Sequence, residues 1–368
     1  MGNSSEGDSV VGIIGGGSAG MSCALWLKYL GLAPLIIERN AALGGQLLNT
    51  NRINRWVLGL PGRTGPELSK LYSEHIVEEN IHVICNTQLV AVETTAAGYR
   101  LILQDADRHQ TSMLVQALVI ATGIRAVGGE VFSGMPGFGS LDAAGLVGCF
   151  PTDHLDAMEC LRGKTVAVIG GGDNAHFTVK DVASVAALTY LLIRSSPKAQ
   201  KIIRQEVNAL IEQGRVVEYL ETEAFAFRVS VLSPLPFPGS AAILDTISAG
   251  ETPALPGGGE RLPFRQAQDG IEISLNQPGS MTAKINVDKV FMRIGFAPNS
   301  EFLNTLGPLA DIGTQADGYL CIDSCQRTSL ASVYAIGDVA GPGLQSVVTA
   351  IAQGAIAARA IAEDISSG

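Results

Sequence analysis

Val10-Val11-Gly12-Ile13-Ile14-Gly15-Gly16-Gly17-Ser18-Ala19-Gly20 is answered by Leu35-Ile36-Ile37-Glu38, whose acid stands eighteen residues after Gly20. The apolar run 10–14 predicts a parallel strand buried on both faces. Gly15, Gly17 and Gly20 stand behind it at the spacing of a dinucleotide-binding turn. The first permits a tight turn, the second lets backbone approach a pyrophosphate, and the third lets the next helix pack on the strand. N–H groups at that helix start, around Ser18 and Ala19, together with the helix dipole, favour an anion. Glu38 ends the second strand, where a carboxylate accepts ribose hydroxyls and repels a 2′-phosphate. Strand, turn, helix and acid in this order carry weight that a glycine triplet alone does not.

The pattern returns at Thr165-Val166-Ala167-Val168-Ile169, followed by Gly170, Gly171, Gly172, Asp173, Asn174 and Ala175. Ala175 takes the third glycine's place, which the helix contact tolerates. A strand is expected over 188–193, and the position matching Glu38 falls at about Arg194. Two βαβ units in one chain are an internal duplication, and 368 residues is long for one ordinary core. The expected fold class is therefore α/β.

Between these units, Thr64 and Pro66 signal a helix start, with the helix running to about Glu79. Residues 81–85, 89–94 and 99–104 alternate as strands, and Met113–Ile120 reads as one strand ending at Ala121-Thr122-Gly123. Residues 124–163 contain a hinge. Lys198 to Gln213 read as a charged helix, and His176 as a solvated helix residue. Phe225 to Phe264, rich in proline and glycine with Gly257-Gly258-Gly259 in its middle, reads as a long loop insertion. Val287–Ile294 is a strand before a return hinge at 295–299. Tyr319–Asp323 and Val333–Asp338 are further strands, and an Ala-rich helix runs from Ser346 to Ile365.

The composition, 46% apolar and 16% charged, allows large cores. A net charge of −10 argues against nucleic acid and anionic membranes. No apolar run long enough to span a membrane occurs, and Met1–Ser9 shows no signal-peptide pattern. Six cysteines without a small secreted framework suggest a reducing, cytoplasmic setting. Cys23 and Cys85 read as buried small hydrophobes, and Cys321 and Cys325 fit neither a zinc nor a redox spacing. The histidines lack metal-ligand spacing, so no metal is expected.

With two glycine motifs, the Ala-Thr-Gly turn and Gly337-Asp338 in this order, the sequence resembles the low-molecular-weight thioredoxin reductase family. It is also similar to ferredoxin–NADP reductases of the same type. The resemblance implies two Rossmann-like, three-layer ββα domains, the second inserted in the first. An FAD domain would be built from 1–124 and 296–368, and a nicotinamide-type domain from 125–295, carrying the 225–264 insertion. It implies a homodimer. Gly15, Gly17, Gly20 and Glu38 would hold the ADP half of FAD, with Ser18 and Ala19 at the helix start. Gly45 and Gln46 would border the flavin, Ala121, Thr122 and Gly123 would pass the adenine side, and Asp338, after Gly337, would bond the ribityl chain. Ser346 and Val347 would face the pyrimidine edge.

Two departures stand out. The family's Cys-x-x-Cys places hold Asp153 and Asp156 here, and no Cys-x-x-Cys occurs anywhere. Cys149 and Cys160 flank that stretch, ten residues lying between them. His154 could stabilise a thiolate there, and Asp153, Asp156 or Glu159 could relay a proton. Second, of the family's NADPH-gripping His-Arg-Arg run only Arg194 remains, which weakens a planar phosphate clamp. Gly170, Gly172, Asp173 and Asn174 still outline a cradle, whose occupant reads equally as NADPH, NADH or a second FAD.

The leading expectation is an FAD-dependent disulfide oxidoreductase. Two electrons move between flavin and a Cys149/Cys160 disulfide, and a disulfide-containing protein or small molecule is the substrate. The rivals are a ferredoxin- or pyridine-nucleotide oxidoreductase without a disulfide, and a non-catalytic flavin-binding sensor.

Overall fold

The computed structural model describes residues 9–230, 270–276, 283–341 and 343–367. The chain begins with β1 (Val10–Ile14), α1 (Ser18–Tyr29) and β2 (Ala33–Ile37). The short strands β3 (Ile53–Asn54) and β4 (Arg63–Thr64) lead into α2 (Gly65–Glu78) and β5 (His82–Ile84). Next come β6 (Thr87–Thr95), β7 (Gly98–Asp105), β8 (Gln110–Val115), β9 (Ala117–Ile120) and β10 (Ile124–Ala126). After α3 (Phe138–Ala143) and β11 (Val147–Gly148) the pattern restarts with β12 (Thr165–Ile169), α4 (Asp173–Val182) and β13 (Leu188–Leu192). Then follow α5 (Lys201–Glu212), β14 (Val216–Tyr219), β15 (Glu223–Ser230), β16 (Gly270–Asn276), β17 (Ala283–Val287) and β18 (Lys289–Met292). The last elements are β19 (Phe296–Pro298), β20 (Val333–Ala335) and α6 (Val347–Ser367).

Two compact units result: Met1–Arg125 with Phe296–Gly368, and Ala126–Gly295. The first is built on a parallel sheet in the order β20-β9-β1-β2-β5. Side chains alternate across it, as a period of two requires. Val11 and Ile13 pack with Leu27 of α1, Ile76 of α2 and Ile361 of α6. Ile14, Leu35 and Ile37 pack with Leu101, Leu103 and Val115 of the antiparallel sheet β6-β7-β8. At Gly12 the two sheets touch, since a Cβ there would lie 3.1 Å from Leu101. Thr64 caps α2 through a reciprocal box with Glu67, the Thr64 N–H donating to Glu67 Oε2 at 2.7 Å.

The second unit repeats the three layers. Its parallel sheet runs β11-β18-β12-β13-β14, with β15-β16-β17 antiparallel. Val166 and Val168 join Val179 of α4 and Val207 of α5, while Ala167 joins Ile271, Ile273 and Ile285. The duplication extends to single hydrogen bonds. Gly15 N–H donates to Ile37 O and Gly170 N–H to Leu192 O, both at 2.9 Å. Ala121 N–H donates to Ile14 O at 2.8 Å and Arg293 N–H to Ile169 O at 2.7 Å. Thr87 N–H donates to Glu38 O and Thr222 N–H to Ile193 O, both at 3.0 Å.

These pairs correct one expectation: the counterpart of Glu38 is Ile193, one residue before Arg194, because the strand ends at Leu192. They also make Arg293 the counterpart of Ala121. Four element boundaries change. Met113–Ile120 is two strands, divided at Gln116, whose N–H donates to Val10 O as the chain passes from the antiparallel to the parallel sheet. Val287–Ile294 is likewise divided, between β17 and β18, at Asp288, whose carboxylate accepts the Thr165 N–H at 2.8 Å. Tyr319–Asp323 forms no ladder; Leu320 makes an isolated bridge to Thr314. Residues 225–230 of the expected insertion belong to β15, paired with β16, and 231–264 lie outside the described residues. Among the described residues no helix is long and apolar enough to cross a membrane.

Candidate functional site

The first cradle is closed by contacts that only glycine permits. Gly15 has φ +112°, and a Cβ on it would lie 2.4 Å from Ala121 O. A Cβ on Gly20 would lie 2.1 Å from Gly15 O, so α1 sits against the turn. Around Gly17 there is open space, where a phosphate can approach. Ser18 and Ala19, both buried, begin α1. Glu38 is buried at the end of β2. Its Oε2 accepts the Gly16 N–H at 2.8 Å, and its Oε1 accepts Asn40 N–H and Nδ2 at 2.8 and 2.7 Å. Three donors fill most of a carboxylate's capacity of about four, leaving about one position for a ribose hydroxyl. Gly45 lies with its Cβ direction 3.2 Å from the Gly17 Cα, and Gln46 Nε2 donates to Ile124 O at 2.5 Å. Thr122 Oγ1 donates to Asn299 O at 2.7 Å, next to Gly123, which is open to space.

At the other end of this unit, Gly337 N–H donates to Gln353 Oε1 of α6 at 2.6 Å. Asp338 follows it, with Oδ1 buried and without a hydrogen-bond partner among the described residues. Burial pushes its carboxyl up to about 6. Ser346 Oγ accepts the Thr349 N–H at 3.3 Å beside Val347, the first residue of α6. These features fit FAD: open glycine turns for a pyrophosphate, an acid for a ribose, and a buried oxygen lacking a donor such as a ribityl hydroxyl would supply.

The second cradle has the same turn, with Gly170 at φ +143° and open space around Gly172. Its surroundings differ. Asp173, in the first turn of α4, accepts Gln200 N–H at 2.7 Å and Gln200 Nε2 at 2.8 Å. Asn174 follows it, its backbone O accepting Thr178 Oγ1 at 2.8 Å. Arg194 is exposed, its Nε 3.7 Å from Glu223 Oε1. His176 is fully buried instead of solvated. Its Nδ1 lies 3.0 Å from Gly172 O and its Nε2 3.2 Å from Arg204 Nη1, because the face of α4 that carries it packs against α5. Burial, with Arg204 beside it, holds this imidazole below its usual range. Arg204 is also bidentate to Glu218.

The stretch before the second cradle holds the candidate sulfurs. All six cysteines are free; Cys149 is half-buried and Cys160 exposed. Burial pushes the Cys149 thiol up to about 11, Asp153 and Asp142 adding to it and Arg293 opposing. His154 is fully buried. Its Nε2 lies 3.0 Å from Asp181 Oδ2, and its Nδ1 3.4 Å from Arg293 Nη2. The ring nitrogens therefore meet Asp181 and Arg293. Asp153 is the ion partner of Arg293 and accepts the Phe150 N–H at 2.9 Å.

Arg293 is a residue that sequence reading missed, although a cation directly after the apolar run Val290-Phe291-Met292 was a usable signal. It donates to Thr178 Oγ1, Gly148 O and Met292 O at 3.0, 3.2 and 2.8 Å. Lys289, buried at the start of β18, donates to Gly145 O at 2.6 Å. Burial pushes it down to about 8, against the pull of Asp153, Cys160 and Cys149.

A family model described as "Pyridine nucleotide-disulphide oxidoreductase" matches residues 9–222 and 263–354. A protein named glucosaminate ammonia-lyase, from Pseudomonas fluorescens, is 28% identical over 352 residues, covering 94% of this chain and 92% of its own. A thioredoxin reductase from Buchnera aphidicola is 26% identical over 358 residues, covering 94% and 93%. Among solved structures, Lactococcus lactis thioredoxin reductase superposes with a TM-score of 0.74 at 21% identity, over 98% of this chain and 100% of that one.

Proposed function

Because the chain belongs to the pyridine nucleotide-disulphide oxidoreductase family, we propose that it moves two electrons between FAD and a disulfide–dithiol couple, with Cys149 and Cys160 as the sulfurs. The observation that carries the flavin half is the buried Asp338 oxygen without a donor. FAD, when bound, supplies the two-electron redox centre. The residues of the first cradle would bind and orient it: Gly17 and the start of α1 at the pyrophosphate, Glu38 at the ribose, Asp338 at the ribityl chain.

In the sulfur half, exposed Cys160 is the attacking thiol. Its thiolate breaks an external disulfide, forming a mixed disulfide and releasing one substrate thiol. Cys149, held as a thiol by burial, gives its proton to the departing substrate thiolate and attacks the Cys160 sulfur of the mixed disulfide, which forms the Cys149–Cys160 disulfide and releases the second substrate thiol. The Lys289 ammonium, whose pKa both sulfurs pull upward, offsets the thiolate charge. The substrate is a disulfide-containing protein or small molecule, the working form a homodimer, and the setting the reducing cytoplasm. Gly170, Gly172 and the start of α4 would hold a nicotinamide-type dinucleotide, which would supply the electrons.

A second reading follows from Asp153, which occupies a family cysteine place and is spoken for by Arg293. It is a pyridine-nucleotide oxidoreductase without a disulfide. The fold hosts other chemistry as well, the Pseudomonas fluorescens relative being named for a lyase, so the reaction rests on the site. Cys149→Ser and Cys160→Ser should each leave FAD bound and abolish turnover of a disulfide substrate. Wild-type disulfide turnover in both variants removes the sulfur pair. Rapid flavin reduction by NADH or NADPH with no disulfide turnover in any form of the protein favours the second reading.

A further inference from the structure

The strand end of the second cradle lacks the acid of the first. Ile193, fully buried, stands where Glu38 stands, so β13 offers a ribose no acceptor. A carboxylate arrives from the following segment instead. Thr222 N–H donates to Ile193 O at 3.0 Å and Glu221 N–H to Ser195 O at 3.4 Å. These two bonds lay the start of β15 along the turn after β13 and set Glu223 beside Arg194. The same turn is tied down on its other side, where Lys198 N–H donates to Gly171 O at 2.7 Å.

An arginine near the ribose position is the group that accommodates a 2′-phosphate. Here a carboxylate already lies against it. A 2′-phosphate would meet that like charge, whereas a free 2′-hydroxyl can donate to it. We infer that the second cradle selects a dinucleotide with a free 2′-hydroxyl, of the NADH class, and that Glu223 discriminates against the 2′-phosphorylated form. The inference rests on the proposal that a nicotinamide-type dinucleotide binds this cradle.

The test is titration calorimetry on the FAD-loaded full chain with ADP-ribose and 2′-phospho-ADP-ribose, neither of which turns over. ADP-ribose should bind at least roughly fivefold more tightly, the size expected for an exposed charge pair. Glu223→Gln should bring the two affinities together and Glu223→Arg should reverse their order. Unchanged flavin absorbance in both variants shows that the first unit is intact. Equal affinities in the wild type, or a ratio unmoved by Glu223→Gln, overturn the role of Glu223 and leave the cradle a dinucleotide site. Failure of both probes to bind overturns the dinucleotide proposal itself, and the selectivity with it.

Discussion

Asp338 carries a buried oxygen without a donor, and that oxygen makes the chain's stability depend on pH and on ligand together. An unfolded aspartate titrates near about 3.9, and burial raises this one to about 6. The folded pKa lies above the unfolded one. The FAD-free chain should therefore lose stability as pH climbs from about 4 to about 6, by about 3 kcal/mol in total. Asp338→Asn should flatten that slope in thermal melts of the FAD-free protein and weaken FAD binding roughly tenfold. A variant melting with the wild-type slope would remove Asp338 from this role. At this scale the sequence was readable where one residue type has one physical job, as with Glu38 at a strand end. It was misleading by one position at Arg194, because the last residue of a strand is not visible from composition. It was silent on Glu223, whose place depends on two backbone hydrogen bonds between distant segments.

Among the elements, α1 and α4 show what the third glycine of the motif does. α1 lies so near its turn that a Cβ on Gly20 would sit 2.1 Å from a carbonyl oxygen. Gly20→Ala should push the helix away, lower stability by about 2 kcal/mol and cut FAD retention; urea unfolding and flavin content after gel filtration measure both. At the matching place α4 already carries Ala175, so Ala175→Gly should cost only the helix propensity of one residue, about 1 kcal/mol. Equal losses in the two variants would refute the distinction. The element order was legible because hydrophobic runs and glycine turns punctuate it. The breaks at Gln116 and Asp288 were not, since polar residues inside an apolar run reveal their role only once both sheets are present.

Over the whole molecule, among the described residues, each unit has its own pair of cores. Calorimetric unfolding is expected to resolve two transitions. Added FAD should raise the one belonging to the first unit, by mass action on the state that binds it. Arg293→Met should lower the other by about 3 kcal/mol, because it leaves the Asp153 carboxylate without its ion partner. A single transition moved by both changes would disprove this independence. The duplicated architecture was plain in the sequence, since each copy repeats strand, turn and helix. The buried pair of Asp153 and Arg293 was hidden, its members lying 140 positions apart.

The unpartnered oxygen at residue 338 also bears on how the protein fares in a living cell. Newly made chains that meet no riboflavin-derived coenzyme keep a solvent-starved carboxylate inside, and so visit opened states more often. Vitamin supply, acting through proteases that digest those opened states, would then set the abundance of this polypeptide with no change in its messenger RNA.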